Sequence, residues 1–178
     1  PEEYTTSEDG TIDLSKLPVG AYVVTELECP GYVIDEAQRI IHLDGNETAQ
    51  FVFTNSKLPS LHLTKISADG SPLAGVTYSL TRIEDGSRYM DQTTSSTGTI
   101  VWDGLQPGVY SLRETDTLSD HILDPKEYHV ELFPGKDGTI VLENDKRPNL
   151  TIWKRDGSDE NTVIPGTVFE VKGIHSGF

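Results

Sequence analysis

The stretch GVYSLRE, residues 108–114, alternates apolar and polar side chains until its last position. Side chains of a β-strand point to opposite faces with a period of two, so Tyr110, Leu112 and Glu114 share one face while Ser111 and Arg113 share the other. The apolar face therefore ends on a carboxylate. An unpartnered buried carboxylate is costly or is forced to hold a proton, so an inward Glu114 calls for a chemical reason.

Outward from this strand, short runs rich in Val, Ile, Thr and Tyr recur between turn signals such as ADG, EDG, QPG, FPGKDG and LDGN, and helical periodicity is nearly absent. The pattern predicts an all-β fold. It also repeats. KLPSLHLTK from Lys57 returns as KRPNLTIWK from Lys146, 89 positions on, and FVFTN ending at Asn55 returns as IVLEN ending at Asn144 at the same interval. GAYVVTE ending at Glu26 matches GVYSLRE ending at Glu114 at 88. Residues 58–146 thus read as one complete repeat, residues 1–57 as the C-terminal part of another, and residues 147–178 as the N-terminal part of a further one. The two end pieces together have the length of one repeat. GSRYMDQTTSSTGTI in the complete repeat lines up with GIHSGF followed by PEEYTTSEDGTI, as though Phe178 led into Pro1 of a neighbouring copy, and the chain reads as an out-of-phase section of a repeat protein.

Glu114 is not alone. Leu61, Leu63 and Lys65 share a face of the first strand of the complete repeat, and Ile140, Leu142 and Asn144 share a face of the last. The flanking pieces repeat the arrangement with Leu150, Ile152 and Lys154, with Tyr22, Val24 and Glu26, and with Phe51, Phe53 and Asn55. A strand that simply exits to solvent would also end on a polar residue, but exits do not demand Lys, Glu and Asn in matching places twice. Burial disfavours the charged form of an amine, and the neutral amine is a nucleophile. A buried glutamic acid that keeps its proton can hydrogen-bond a carboxamide oxygen and relay protons from amine to leaving group. Attack of a lysine Nζ on an asparagine Cγ then expels ammonia and leaves one neutral amide in place of three costly polar groups.

Composition narrows the remaining classes. A net charge of −15 with 24% charged residues argues against nucleic acid and anionic membrane surfaces as partners. The lone Cys29, before Pro30, excludes an internal disulfide framework and a multi-thiolate metal site. The sequence shows no signal peptide, hydrophobic span or anchor, so export is not read from it directly. RDGSDENTVIPG carries Asp156, Asp159 and Glu160 but lacks the spacing of a calcium loop, and no metal or cofactor is expected. LPVGA at Leu17 lacks the threonine and hydrophobic tail of a sortase signal and reads as a turn. The sequons at Asn46 and Asn149 would carry little weight if the source were bacterial. His42, His62, His121, His129 and His175 show neither metal spacing nor a nucleophile partner and are expected to face solvent or pack on strands.

The ordered motifs LTKISADGSPLAGVTYSL, GTIVWDGLQPGVYSLRETD and GTIVLENDK, with GTIDLSKLPVGAYVVTELECPGYVI, FVFTNSK and LTIWKRDG in the flanks, resemble the collagen-adhesin B-type (Cna-B, SpaA-like prealbumin) domains of Gram-positive surface proteins and pili. The resemblance covers the whole chain. It implies tandem immunoglobulin-like β-sandwich domains in stalks or pili outside the cell, on the wall or surface of a Gram-positive bacterium, often carrying a Lys–Asn isopeptide bond promoted by an acid. By position the cross-link is Lys65 to Asn144 with Glu114 as promoter, and the second set is Lys154, Asn55 and Glu26.

Two functions follow as expectations. One is a structural stalk or fibre, stiffened by autocatalytic amides and possibly joined head to tail, with Lys154 of one copy meeting Asn55 and Glu26 of the next. Its first and last strands would run parallel and adjacent. The alternative is an adhesin module holding a host protein or glycan, which would show an odd insertion or exposed aromatic cluster in one repeat; Trp102 and Trp153 fall in strand patterns instead. A turnover enzyme has no support in any motif, and no segment is built to insert into a membrane.

Overall fold

The structure is a computed structural model that describes residues 1–45 and 48–174; Asn46, His175 and Phe178 of the readings above lie outside the described residues. Eleven strands occur among the described residues, with no helix and hence none long and apolar enough to cross a membrane. The first four are β1 (Gly20–Thr25), β2 (Tyr32–Val33), β3 (Gln38–Leu43) and β4 (Ser56–Lys57). The remainder are β5 (Leu61–Ser67), β6 (Thr77–Arg82), β7 (Arg88–Thr93), β8 (Thr99–Trp102), β9 (Gly108–Asp116), β10 (Glu127–Leu132) and β11 (Gly138–Asn144).

Strands β5 to β11 form a sandwich of two sheets, ordered β10-β9-β6-β7 and β11-β5-β8. All pairings are antiparallel except that of β11 with β5, which runs parallel from Gly138 beside Leu61 to Asn144 beside Ser67. The first and last strands of residues 58–146 are therefore neighbours. Period-two alternation builds the core: Leu61, Leu63, Ile100, Trp102 and Leu142 face inward from one sheet, and Tyr78, Leu80, Tyr110, Leu112 and Leu132 from the other. Burying a side chain of this size is worth about 1.5–3 kcal/mol, so these positions carry the fold.

The turn before β8 fixes the lysine strand. Gly98 has φ +72°, its carbonyl accepts the Lys65 amide at 2.7 Å, and a Cβ placed on it would lie 2.4 Å from the Lys65 carbonyl oxygen and 3.0 Å from the Leu73 nitrogen. Both contacts are to backbone, which cannot swing aside. Gly98→Ala is expected to lower stability by about 1–3 kcal/mol through strain and to displace β5 at Lys65, read as a fall in the melting temperature; an unchanged melting temperature would contradict this placement.

Strands β1 and β3 form an antiparallel hairpin in the register that β9 and β10 use. Tyr22 faces Ile41 as Tyr110 faces Val130, and each tyrosine donates its hydroxyl to the carbonyl four residues earlier, Pro18 or Gln106, at 2.7 Å. Two expected strands are not formed. Residues 51–55 and 149–154 have extended-type sequences but lie outside any strand, and Leu150 and Trp153 are 72% and 70% exposed. A strand needs a neighbour to take its backbone hydrogen bonds, and alternation supplies only the side-chain half of that requirement.

Candidate functional site: a buried lysine, glutamate and asparagine

Lys65, Glu114 and Asn144 arrive from β5, β9 and β11, each one alternation step beyond an apolar residue, and meet between the sheets. They are 0%, 7% and 2% exposed. Lys65 Nζ donates to Asn144 Oδ1 at 2.6 Å and lies 3.1 Å from Glu114 Oε2, while Asn144 Nδ2 donates to Glu114 Oε1 at 2.6 Å. The carboxylate thus touches both the amine and the carboxamide nitrogen. This differs from the expected orientation, in which a glutamic acid proton would point at the carboxamide oxygen. The reason is local: donors surround Glu114, including the Tyr78 hydroxyl at 3.0 Å, so it accepts from every neighbour and the carboxamide turns its NH2 toward it.

Tyr78 and Thr117 complete the site and were not singled out by sequence. Tyr78 sits on β6 among core residues and reads from sequence as one of them. Burial first, and then the charge of Glu114, push its phenol well above the ordinary range, so it remains a donor to that carboxylate. Lys65 Nζ also lies 5.7 Å from the centre of the Tyr78 ring. Thr117 Oγ1 accepts from Asn144 Nδ2 at 3.1 Å. Nearby, burial acts to raise Asp124, but hydrogen bonds from Tyr128 and the Lys126 amide and the charge of Lys65 hold its carboxyl below the ordinary value. An amine, a carboxamide carbon and a proton acceptor are thereby held together away from water, which is the requirement for condensation of the two side chains.

The family model for the SpaA prealbumin-like fold domain matches residues 1–57 and 59–146. The chain belongs to this SpaA family. Among solved structures, the Bacillus anthracis TIE protein is similar, with 25% identity over 79% of this chain and 28% of that one and a TM-score of 0.50. The major pilin subunit BcpA of Bacillus cereus shows 21% identity over 51% of this chain and 29% of its own, TM-score 0.47. The minor pilin GBS52 of Streptococcus agalactiae shows 24% over 84% and 70%, TM-score 0.45. The chain spans less than a third of the length of the TIE protein and of BcpA. No curated protein matches it.

In this SpaA-family chain the second set of residues is only partly assembled. Asn55 Nδ2 donates to Glu26 Oε1 at 2.5 Å, as Asn144 does to Glu114, and the Asp35 amide donates to Asn55 Oδ1 at 3.3 Å. Lys154 is elsewhere, exposed, with Nζ donating to the Arg155 carbonyl at 3.1 Å. The other candidates find local uses. Asp156 and Asp159 cap their own loop, accepting from Ser158 and from Asn161 and Thr162, and Cys29 is a half-buried free thiol. His42, His62 and His129 are exposed. His121 is buried and does have a hydroxyl partner that sequence did not reveal: Ser67 Oγ lies 3.3 Å from Nε2, with Asp120 Oδ1 2.8 Å from Nδ1. Since Ser67 is itself buried, this chain ties the 117–122 loop to the end of β5 and offers no face to a substrate.

Proposed function

We propose that the chain is a structural segment of a Gram-positive surface stalk or pilus, lying outside the cell and joined end to end with neighbouring units, and that its complete domain is locked by an amide between Lys65 and Asn144. One observation carries the reading: a buried amine, carboxamide and carboxylate in mutual contact, where the parallel first and last strands of a SpaA-type domain lie side by side. Neutral Lys65 Nζ attacks Asn144 Cγ, the C–N bond to Nζ forms, and the bond from Cγ to Nδ2 breaks. Glu114 takes a proton from Nζ through Oε2 and returns one to Nδ2 through Oε1, so nitrogen leaves as ammonia and the carboxylate is regenerated. Tyr78 holds Glu114 in place. The chain is its own single-turnover substrate rather than an enzyme with turnover.

The mechanical consequence follows from topology. Tension entering at the start of β5 and leaving at the end of β11 passes through Lys65, the amide and Asn144, and bypasses the chain between them. Those residues are 79 apart. Without the link, unfolding under force would release about 270 Å of chain at ~3.4 Å per residue. Single-molecule extension of the chain is expected to show no such release, and Glu114→Ala to restore it. A release of that length from the unaltered protein would refute the load-bearing role.

A further inference from the structure

Asn144 Nδ2 is the atom that leaves when the amide forms, and both of its hydrogens already have acceptors, Glu114 Oε1 at 2.6 Å and Thr117 Oγ1 at 3.1 Å. Glu114 exchanges protons in that reaction, whereas Thr117 keeps its own. A hydroxyl that bound the carboxamide only at rest would slow its loss, so what matters is how this bond changes along the reaction. Nδ2 begins as a neutral amide nitrogen. Once Glu114 has delivered to it the proton taken from Nζ, Nδ2 bears three hydrogens and a positive charge, and its N–H groups become charge-assisted donors, roughly twice as strong as neutral ones. The bond to Thr117 is therefore strongest at the step in which Cγ and Nδ2 part.

Thr117 directly follows β9 and opens a loop with its own fastenings. The His121 amide donates to the Leu118 carbonyl at 3.0 Å and closes a turn, while Leu118 packs against the apolar core. The buried His121 ring then reaches β5. Its Nδ1 lies 2.8 Å from Asp120 Oδ1, a carboxylate oxygen that only accepts, so Nδ1 carries the hydrogen and Nε2 accepts from the Ser67 hydroxyl at 3.3 Å. Ser67 is the register partner of Asn144 across the parallel pair of β5 and β11. Beyond β11 the backbone fastens the loop again, with the Ile122 amide donating to the Asp145 carbonyl at 2.9 Å and the Arg147 amide to that of Asp120 at 2.8 Å. The loop that carries Thr117 is thus tied to β5 beside Asn144 and to the chain just past Asn144.

We propose that Thr117 is a catalytic residue of amide formation, its hydroxyl oxygen holding the departing nitrogen, and that His121 is the positioning residue that sets it there through Ser67. The step balances with Thr117 unchanged: the bond from Nζ to Cγ forms, that from Cγ to Nδ2 breaks, the proton lost by Nζ passes through Glu114 to Nδ2, and nitrogen leaves as ammonia. A cavity of about 220 Å³ lined by Asn144, Leu123, Asp124 and Asp145 gives the ammonia a space to enter. The assignment rests on the amide chemistry proposed for Lys65 and Asn144.

The test follows the full chain from cell-free synthesis, reading the loss of ammonia by intact mass over time and placing it at Lys65 and Asn144 by peptide mapping. Thr117→Val and Thr117→Ala, which lack the hydroxyl, are expected to form the amide about tenfold more slowly, and Thr117→Ser, which keeps it, at close to the unaltered rate. His121→Ala is expected to slow the reaction where Thr117 is present and to add nothing in the Thr117→Val chain, whereas a histidine that only supported the fold would slow both alike. An unaltered rate in Thr117→Val and Thr117→Ala, or a rate in Thr117→Ser as low as theirs, would overturn the role of the hydroxyl. Equal slowing by His121→Ala in both chains would overturn the positioning role. Failure of the unaltered chain to lose ammonia at these residues would overturn the amide chemistry itself, so the two failures are told apart.

Discussion

Glu114→Ala is expected to leave the chain at its full unmodified mass. The carboxylate is the group that contacts both Lys65 Nζ and Asn144 Nδ2, at 3.1 and 2.6 Å, and among the described residues no other carboxylate oxygen is within hydrogen-bond reach of either atom. Removing a positioned proton relay costs about two to four powers of ten in rate. A domain that still folds, shown by an unchanged β-sheet spectrum, should therefore accumulate uncondensed protein over days. Amide formation at the unaltered rate would mean that another group relays the proton, Asp124 being the candidate whose carboxyl feels the charge of Lys65.

Asn144→Ala is expected to produce the largest loss of heat resistance. It removes the electrophile, so no amide forms, and it leaves Lys65 and Glu114 as a buried pair without the carboxamide that satisfied both. By analogy with a disulfide closing a loop of this size, the missing link alone is worth about 4–5 kcal/mol. For a domain of about 90 residues that corresponds to a fall in melting temperature of roughly 20 °C or more. Scanning calorimetry reads it directly. A shift of only a few degrees would show that the link contributes little beyond the apolar core.

Much of this arrangement is legible in the sequence because a strand reports its buried face at every second residue. Leu61–Leu63–Lys65, Tyr110–Leu112–Glu114 and Ile140–Leu142–Asn144 keep one phase, and the fold keeps it too, bringing the three polar ends together from three strands. What alternation does not encode is the company a strand keeps. Residues 149–154 have the pattern of β5 but lie outside any strand among the described residues. Tyr78 was hidden for a different reason, since a tyrosine among core residues announces its ring and not the direction of its hydroxyl. His121 and Ser67 are 54 positions apart, and neither spacing nor period connects them. The orientation of the Asn144 carboxamide depends on the whole set of donors around Glu114, which only the assembled site displays.

A covalent bond between Lys65 and Asn144 is tested most directly by the intact mass of the folded protein followed by peptide mapping. A mass lower than the sequence requires by one ammonia, with Lys65 and Asn144 in one branched peptide, is the expected result. Folded protein of full mass, yielding the two residues in separate peptides, would contradict it.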